Sequence, residues 1–170
     1  MIILMAGLPG TGKSTLAREL AIRTGGCVLS KDEIRAAIFC EQDIEFSTAQ
    51  DDFVMELMLQ SARLLLQRNP TRRIFLDGRT FSQGYQIERV LKLARELDQP
   101  WRIIECVCSD ESARRRLEDE RDPVHPARNS SYALYLQVRA RFEPIGHTKT
   151  VIDTDQPLER CLEGAQAAVG

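Results

Sequence analysis

Residues Gly7-Leu8-Pro9-Gly10-Thr11-Gly12-Lys13-Ser14-Thr15 fit G-x-x-x-x-G-K-[ST], a spacing suited to holding a polyphosphate. The chemistry follows from the residue types. Gly7, Gly10 and Gly12 let the backbone curl so that successive N–H groups point inward, and a helix starting where they end adds partial positive charge. Lys13 is placed to reach the β- and γ-phosphates of ATP or GTP, and the Ser14 hydroxyl to serve Mg²⁺. The whole run from Gly7 to Thr15, including Leu8, Pro9, Thr11 and Thr15, is therefore the expected nucleotide-binding loop.

Such a loop works only between a strand and a helix. Ile2 to Ala6 is apolar throughout, as a strand buried on both faces of a parallel sheet should be. From Ser14 onward Leu16, Ala17, Leu20 and Ala21 form one helical stripe, and Gly25-Gly26 stops it. Further along, Cys27 to Leu29 reads as a second strand and Ser30-Lys31-Asp32-Glu33 as a capping box. The pattern then predicts a loop over Glu41–Ser47 and a long helix from Asp51 to Arg68, with Val54, Leu57, Met58, Ser61 and Leu65 inward. Strands follow at 73–77, 102–108 and 150–152, and helices at 85–97, 110–121, 130–143 and 158–169. Alternating strands and helices imply an α/β three-layer sandwich with a five-stranded parallel sheet.

Length and composition bound the rest. The 170 residues make one domain, 1–170, with 43% hydrophobic and 28% charged side chains. No run approaches the roughly 20 apolar residues of a membrane span, and Met1 opens directly onto a strand, so neither an anchor nor a signal peptide is expected. Twenty-three basic and 25 acidic residues give a net charge of −2, which disfavours a protein that coats nucleic acid. Five scattered cysteines without a C-x-x-C pair suit neither a disulfide framework nor a zinc site, and point to a reducing cytoplasm.

Motor-type hydrolases usually place a glutamate after the acid ending a second conserved strand, but here Asp77 is followed by Gly78. There is also no N-K-x-D stretch to read guanine. With the Leu29-Ser30-Lys31-Asp32-Glu33-Ile34-Arg35 segment, Asp77-Gly78, the arginine-rich 114–121 helix and Arg141-Phe142-Glu143-Pro144, the chain resembles the small P-loop kinases. These include polynucleotide 5′-hydroxyl kinase domains, zeta-toxin-like kinases and AAA-domain kinases. The resemblance covers almost the whole chain and implies transfer of the γ-phosphate of Mg-ATP to a hydroxyl of a small molecule or polynucleotide end. A nucleoside monophosphate kinase-like enzyme and a non-catalytic ATP-binding regulator are the alternatives.

The resemblance also implies roles for individual residues. Asp32 is the general base, and Arg35, three positions on and on the same helix face, holds the acceptor. Arg116 and Arg121, in a short lid at about 114–130, are expected to neutralise charge on the transferred phosphoryl. Asp77, at the carboxyl end of a strand beside the phosphate loop, is assigned to a Mg²⁺ water, with contact to the acceptor as the other reading. Arg79 is either an acceptor or phosphate clamp or a solvated loop arginine. His125 and His147 are read as structural. ATP and Mg²⁺ are the implied cofactors, and the implied partners are ATP and a hydroxyl acceptor.

Overall fold

The structure is a computed structural model that describes residues 1–119 and 131–170. Five strands form one parallel sheet: β1 (Ile2–Ala6), β2 (Cys27–Ser30), β3 (Ile74–Asp77), β4 (Trp101–Val107) and β5 (Thr150–Asp153), in the order β2-β3-β1-β4-β5. The apolar run at the amino end becomes the central strand because every one of its side chains can be buried, and all five are. Ile2, Leu4 and Ala6 enter the core under α3 (Thr48–Arg68) and α4 (Gly84–Glu96). Ile3 and Met5 enter the opposite core under α1 (Lys13–Thr24) and α7 (Leu158–Val169). The period-two alternation of one strand thus builds both layers.

Helices α2 (Lys31–Ile38), α5 (Asp110–Asp119) and α6 (Tyr132–Ala140) gather at the carboxyl ends of the strands. Ala113 and Leu117 of α5 pack with Tyr135 of α6 in a small separate cluster. An aromatic and cationic ladder braces the pair: Tyr132 and Tyr135 stack at 5.3 Å, with Arg114 over the Tyr132 ring at 5.5 Å and Arg139 over the Tyr135 ring at 5.6 Å. Arg114 also pairs with Glu118, and Arg139 with Asp110, so these two arginines serve the helix surface.

Several boundaries and faces differ from the sequence pattern. Helix α3 starts at Thr48, because the Ser47 hydroxyl accepts from the Gln50 N–H at 3.2 Å and caps it three residues early. Its buried stripe is Val54, Met55, Met58, Leu59, Ala62 and Leu66, rotated from the predicted one, so that Leu57, Ser61 and Leu65 are only half-buried. The predicted loop before it contains one 3₁₀ turn, Glu41–Asp43. Helix α6 is shorter than 130–143; Phe142 and Ile145, beyond its end, turn into the α3/α4 core. The capping box is half-formed: Ser30 accepts from the Glu33 N–H, while the Glu33 carboxylate turns outward to Arg18 at 2.9 Å. Arg121, His125 and most of the expected lid lie outside the described residues.

Candidate active site

The loop between β1 and α1 is held open by backbone that side-chain-bearing residues rarely adopt. Gly7, Gly10 and Gly12 have φ of 131°, 74° and 75°. A Cβ on Gly7 would stand 2.2 Å from the carbonyl oxygen of Cys106, and one on Gly10 2.9 Å from Leu117. Gly12 caps α1, whose first turn contains no acidic residue, so the unsatisfied N–H groups at its start face an uncontested anion site. Gly7→Ala is expected to lower Tm by roughly 5–10 °C, from backbone strain of about 1–3 kcal/mol plus the clash. A melting curve that coincides with the parent's would contradict the packing of this loop.

Lys13 is 8% exposed and donates from Nζ to the Leu8 carbonyl at 2.7 Å, which folds the ammonium back across the loop. Burial lowers its pKa from the ordinary lysine value, against opposing pulls from Asp77, Cys106 and Asp32. The Thr11 hydroxyl also donates to Leu8 O, at 2.7 Å. These two bonds give the loop its shape before any phosphate arrives. Arg116 braces it from outside, donating to Gly10 O at 3.3 Å, to Thr154 Oγ1 at 3.0 Å and to Thr154 O at 2.7 Å. In this arrangement Arg116 positions the loop against the turn after β5, and it does not line the cavity described next.

A cavity of about 310 Å³ opens over Pro9–Thr15 and runs to α2, α3 and the loop after β3. It brings together Lys13, Ser14, Asp32, Arg35 and Arg79, which the sequence separates by up to 66 positions. Asp32 sits in the first turn of α2. Desolvation raises its pKa above the ordinary carboxylate value, the neighbouring Lys31 and Arg35 pull the other way, and Asp77 and Asp51 add to the rise. Arg35, 2% exposed, donates to Asp32 Oδ1 at 3.0 Å and to Asp51 Oδ1, and its guanidinium lies 5.0 Å from the Phe46 ring centroid. Arg79 is not a solvated loop arginine: it is 5% exposed, pairs with Asp52 at 2.8 Å and donates to the Tyr85 hydroxyl at 3.2 Å.

Asp77 ends β3 beside the phosphate strand and is 2% exposed, with one carboxylate oxygen lacking any hydrogen-bond partner among the described residues. A buried, unpartnered carboxylate oxygen is costly unless something positive meets it. With the Ser14 hydroxyl in the first turn of α1, that donor set fits Mg²⁺, which takes few protein ligands and completes its shell with phosphates and water. Among the described residues no group of three or more His, Cys, Asp or Glu could hold a metal. Gly78, at φ 87°, follows Asp77 where a Cβ would press on Lys31 and Asp32, so this position carries no water-activating side chain.

Sequence reasoning did not find Lys31, Phe46, Asp51 or Gln86 in this cavity, nor Asp52 behind it. Asp51 and Asp52 open α3 and look like ordinary helix-start acids; only the approach of α2 to α3 reveals their partners. His147 pairs with Glu88 at 3.0 Å and stands edge-on to Trp101, away from the cavity. Cys106 is buried in the α1/α7 core with its thiol pushed up to about 12 by burial, and all five cysteines are free.

A parallel α/β sheet whose central strand feeds a glycine-rich cradle and a helix defines a P-loop nucleotide-binding domain. The chain belongs to the AAA domain family, whose model matches residues 2–163. Its fold is shared with a provisionally assigned kinase from Chloroflexus aurantiacus, at 21% identity and TM-score 0.75 over 99% of this chain and 98% of that one. It is also shared with a sugar kinase from Janibacter sp. HTCC2649, at 16% identity and TM-score 0.71 over 99% and 93%. The Mycobacterium tuberculosis APS kinase solved with AMPPNP and APS matches at 16% identity and TM-score 0.70 over 99% and 96%. At these identities the likeness establishes the fold. No curated protein sequence matches the chain.

Proposed function

We propose that this protein is an ATP-dependent phosphotransferase that moves the γ-phosphoryl group of Mg-ATP to a hydroxyl acceptor. One observation carries the reading: a desolvated carboxylate, Asp32, opens onto the same cavity as the phosphate loop and Lys13. A cavity built only to bind nucleotide has no use for a shielded base facing the phosphate loop, and the position where motor-type hydrolases carry their water-activating glutamate is Gly78. The kinases among the fold's neighbours agree with it.

In this reading the N–H groups from Gly10 to Thr15 and the Lys13 ammonium hold the β- and γ-phosphates. Ser14 and Asp77 would hold Mg²⁺, which when bound would supply charge neutralisation to the phosphates. The acceptor hydroxyl gives its proton to Asp32 as its oxygen bonds to the γ-phosphorus. The bond from that phosphorus to the β–γ bridging oxygen breaks, and ADP leaves. Arg35 keeps Asp32 oriented through the 3.0 Å bond. Arg116 must leave Thr154 to reach the phosphoryl; Arg121, outside the described residues, is the other cation assigned to it. Arg141 lines the cavity at the end of α6, and its position is set by the Glu143 N–H donating to Ser82 O at 2.8 Å.

Transfer of labelled γ-phosphate to a panel of hydroxyl compounds tests the reading; nucleotide binding without transfer to any of them would leave only a regulator. Asp77→Asn is expected to raise the Mg²⁺ concentration for half-maximal rate by roughly 10- to 100-fold, the usual cost of losing a group that orients a metal's shell. An unchanged Mg²⁺ titration would remove Asp77 from the metal site and leave it to the acceptor. Among the described residues no helix is long and apolar enough to cross a membrane.

A further inference from the structure

Beyond the phosphate loop, the cavity is walled by cations that already have partners. Lys31 Nζ donates to Asp51 Oδ1 at 2.9 Å and lies 3.8 Å from Asp32. Arg35 is hydrogen-bonded to Asp32 and Asp51, and Arg79 is ion-paired with Asp52. Three positive groups therefore meet three carboxylates, and two of the three are among the most buried polar side chains of the chain. An arginine that turned from its carboxylate to a phosphate would strand that carboxylate beside the incoming anion. Like charges brought together in a shielded site repel strongly, so this arrangement rejects anions.

The same wall offers hydrogen bonds to neutral groups. Thr48, Thr80, Ser82, Gln83 and Gln86 line the cavity with uncharged hydroxyl and amide side chains. Such groups both donate and accept, and so match the hydroxyls of a neutral ligand. Phe46, held at φ 52° in the left-handed region, adds an aromatic edge to the wall. Strain of this kind in a non-glycine residue marks a position that the surroundings enforce. Arg141 is the cavity arginine with no ion pair among the described residues, but it stands with Leu134 and Val138 of α6, next to the α5 face that covers Gly10. That is the phosphoryl side.

We propose that the acceptor is an uncharged, hydroxyl-rich ring compound, of the class of sugars, cyclic polyols and nucleosides, and that the Lys31–Asp51–Arg35 and Arg79–Asp52 pairs exclude phosphate-bearing acceptors. The proposal rests on the phosphotransferase reading. Its test is transfer of labelled γ-phosphate to matched pairs: glucose and glucose 6-phosphate, inositol and inositol monophosphate, cytidine and cytidine monophosphate, with a 5′-hydroxyl oligonucleotide as a further arm. At least one neutral member is expected to exceed its phosphorylated counterpart by about tenfold or more in kcat/KM. Asp51→Asn, which frees Lys31 and leaves Arg35 to Asp32 alone, is expected to narrow that preference by about tenfold, with Asp52→Asn as the second variant should the first melt early.

Preference for a monophosphate or for the oligonucleotide end, or no preference within any pair, overturns the acceptor class while leaving the phosphotransferase reading intact. A preference that neither variant alters overturns the charge argument. Nucleotide binding with no transfer in any arm overturns both readings together.

Discussion

Lys13→Met is expected to abolish measurable phosphoryl transfer, lowering kcat by about 10²–10³ or more, while leaving the protein folded. The ammonium is the cation placed inside the loop itself, and its role grows as charge shifts on the γ-phosphoryl, so kcat should fall further than nucleotide affinity. Stability should move the opposite way. Burial depresses the Lys13 pKa, so in the folded state without nucleotide the proton is held less tightly than in the unfolded chain. A group depressed in this way adds stability as pH rises and subtracts it when charged at neutral pH. Replacing it with an apolar isostere removes that cost, and Tm at pH 7 should hold or rise. Calorimetry and steady-state kinetics on one preparation check both halves; a variant that retains more than about a tenth of parental kcat would sink the assignment, since one well-placed donor alone is worth more.

The second large effect belongs to Asp32→Asn, with an expected loss of about 10²–10⁴ in kcat. The pH profile separates a base from a structural carboxylate. Burial raises the Asp32 pKa, the proton is bound more tightly folded than unfolded, and ionising it costs stability as pH rises through the raised value. Activity runs the other way, because only the ionised carboxylate accepts the acceptor's proton. The parental kcat/KM should therefore climb with pH along a limb above the ordinary carboxylate range, and Asp32→Asn should lack that limb. Its Tm at pH 7 should be preserved, since Arg35 keeps Asp51 as a partner. An Asn variant with the same acid limb at a uniformly lower rate would mean that another group supplies it.

These expectations rest on parts of the chain that differ in how openly they could be read. The loop from Gly7 to Thr15 was legible because its chemistry is local: the glycines, Lys13 and the helix start lie within nine residues, and Ile2–Ala6 is apolar because it is buried on both faces. Asp32 and Asp77 were legible as acids at the carboxyl ends of strands, where ligands of such sheets bind. Arg79 was legible as a candidate on the same rim, but its burial was not, since a loop arginine gives no sign of it until α3 brings Asp52 against it. The inward face of α3 was misread for a related reason: Ser47 starts the helix early, and its contact with α4 and the sheet turns Met55, Leu59 and Ala62 inward where the period alone favoured Leu57 and Leu65.

Sequence by itself determined that this protein has a phosphate cradle, a parallel sheet to carry it and an aspartate poised at the start of α2, because each depends on neighbours along the chain. Only the tertiary structure decided which charges are neutralised, that Arg35 and Arg79 are closed by Asp51 and Asp52, and that Arg116 grips Gly10 and Thr154. Those pairings join residues 16 to 106 positions apart, and the distances that settle them exist only after the helices have packed.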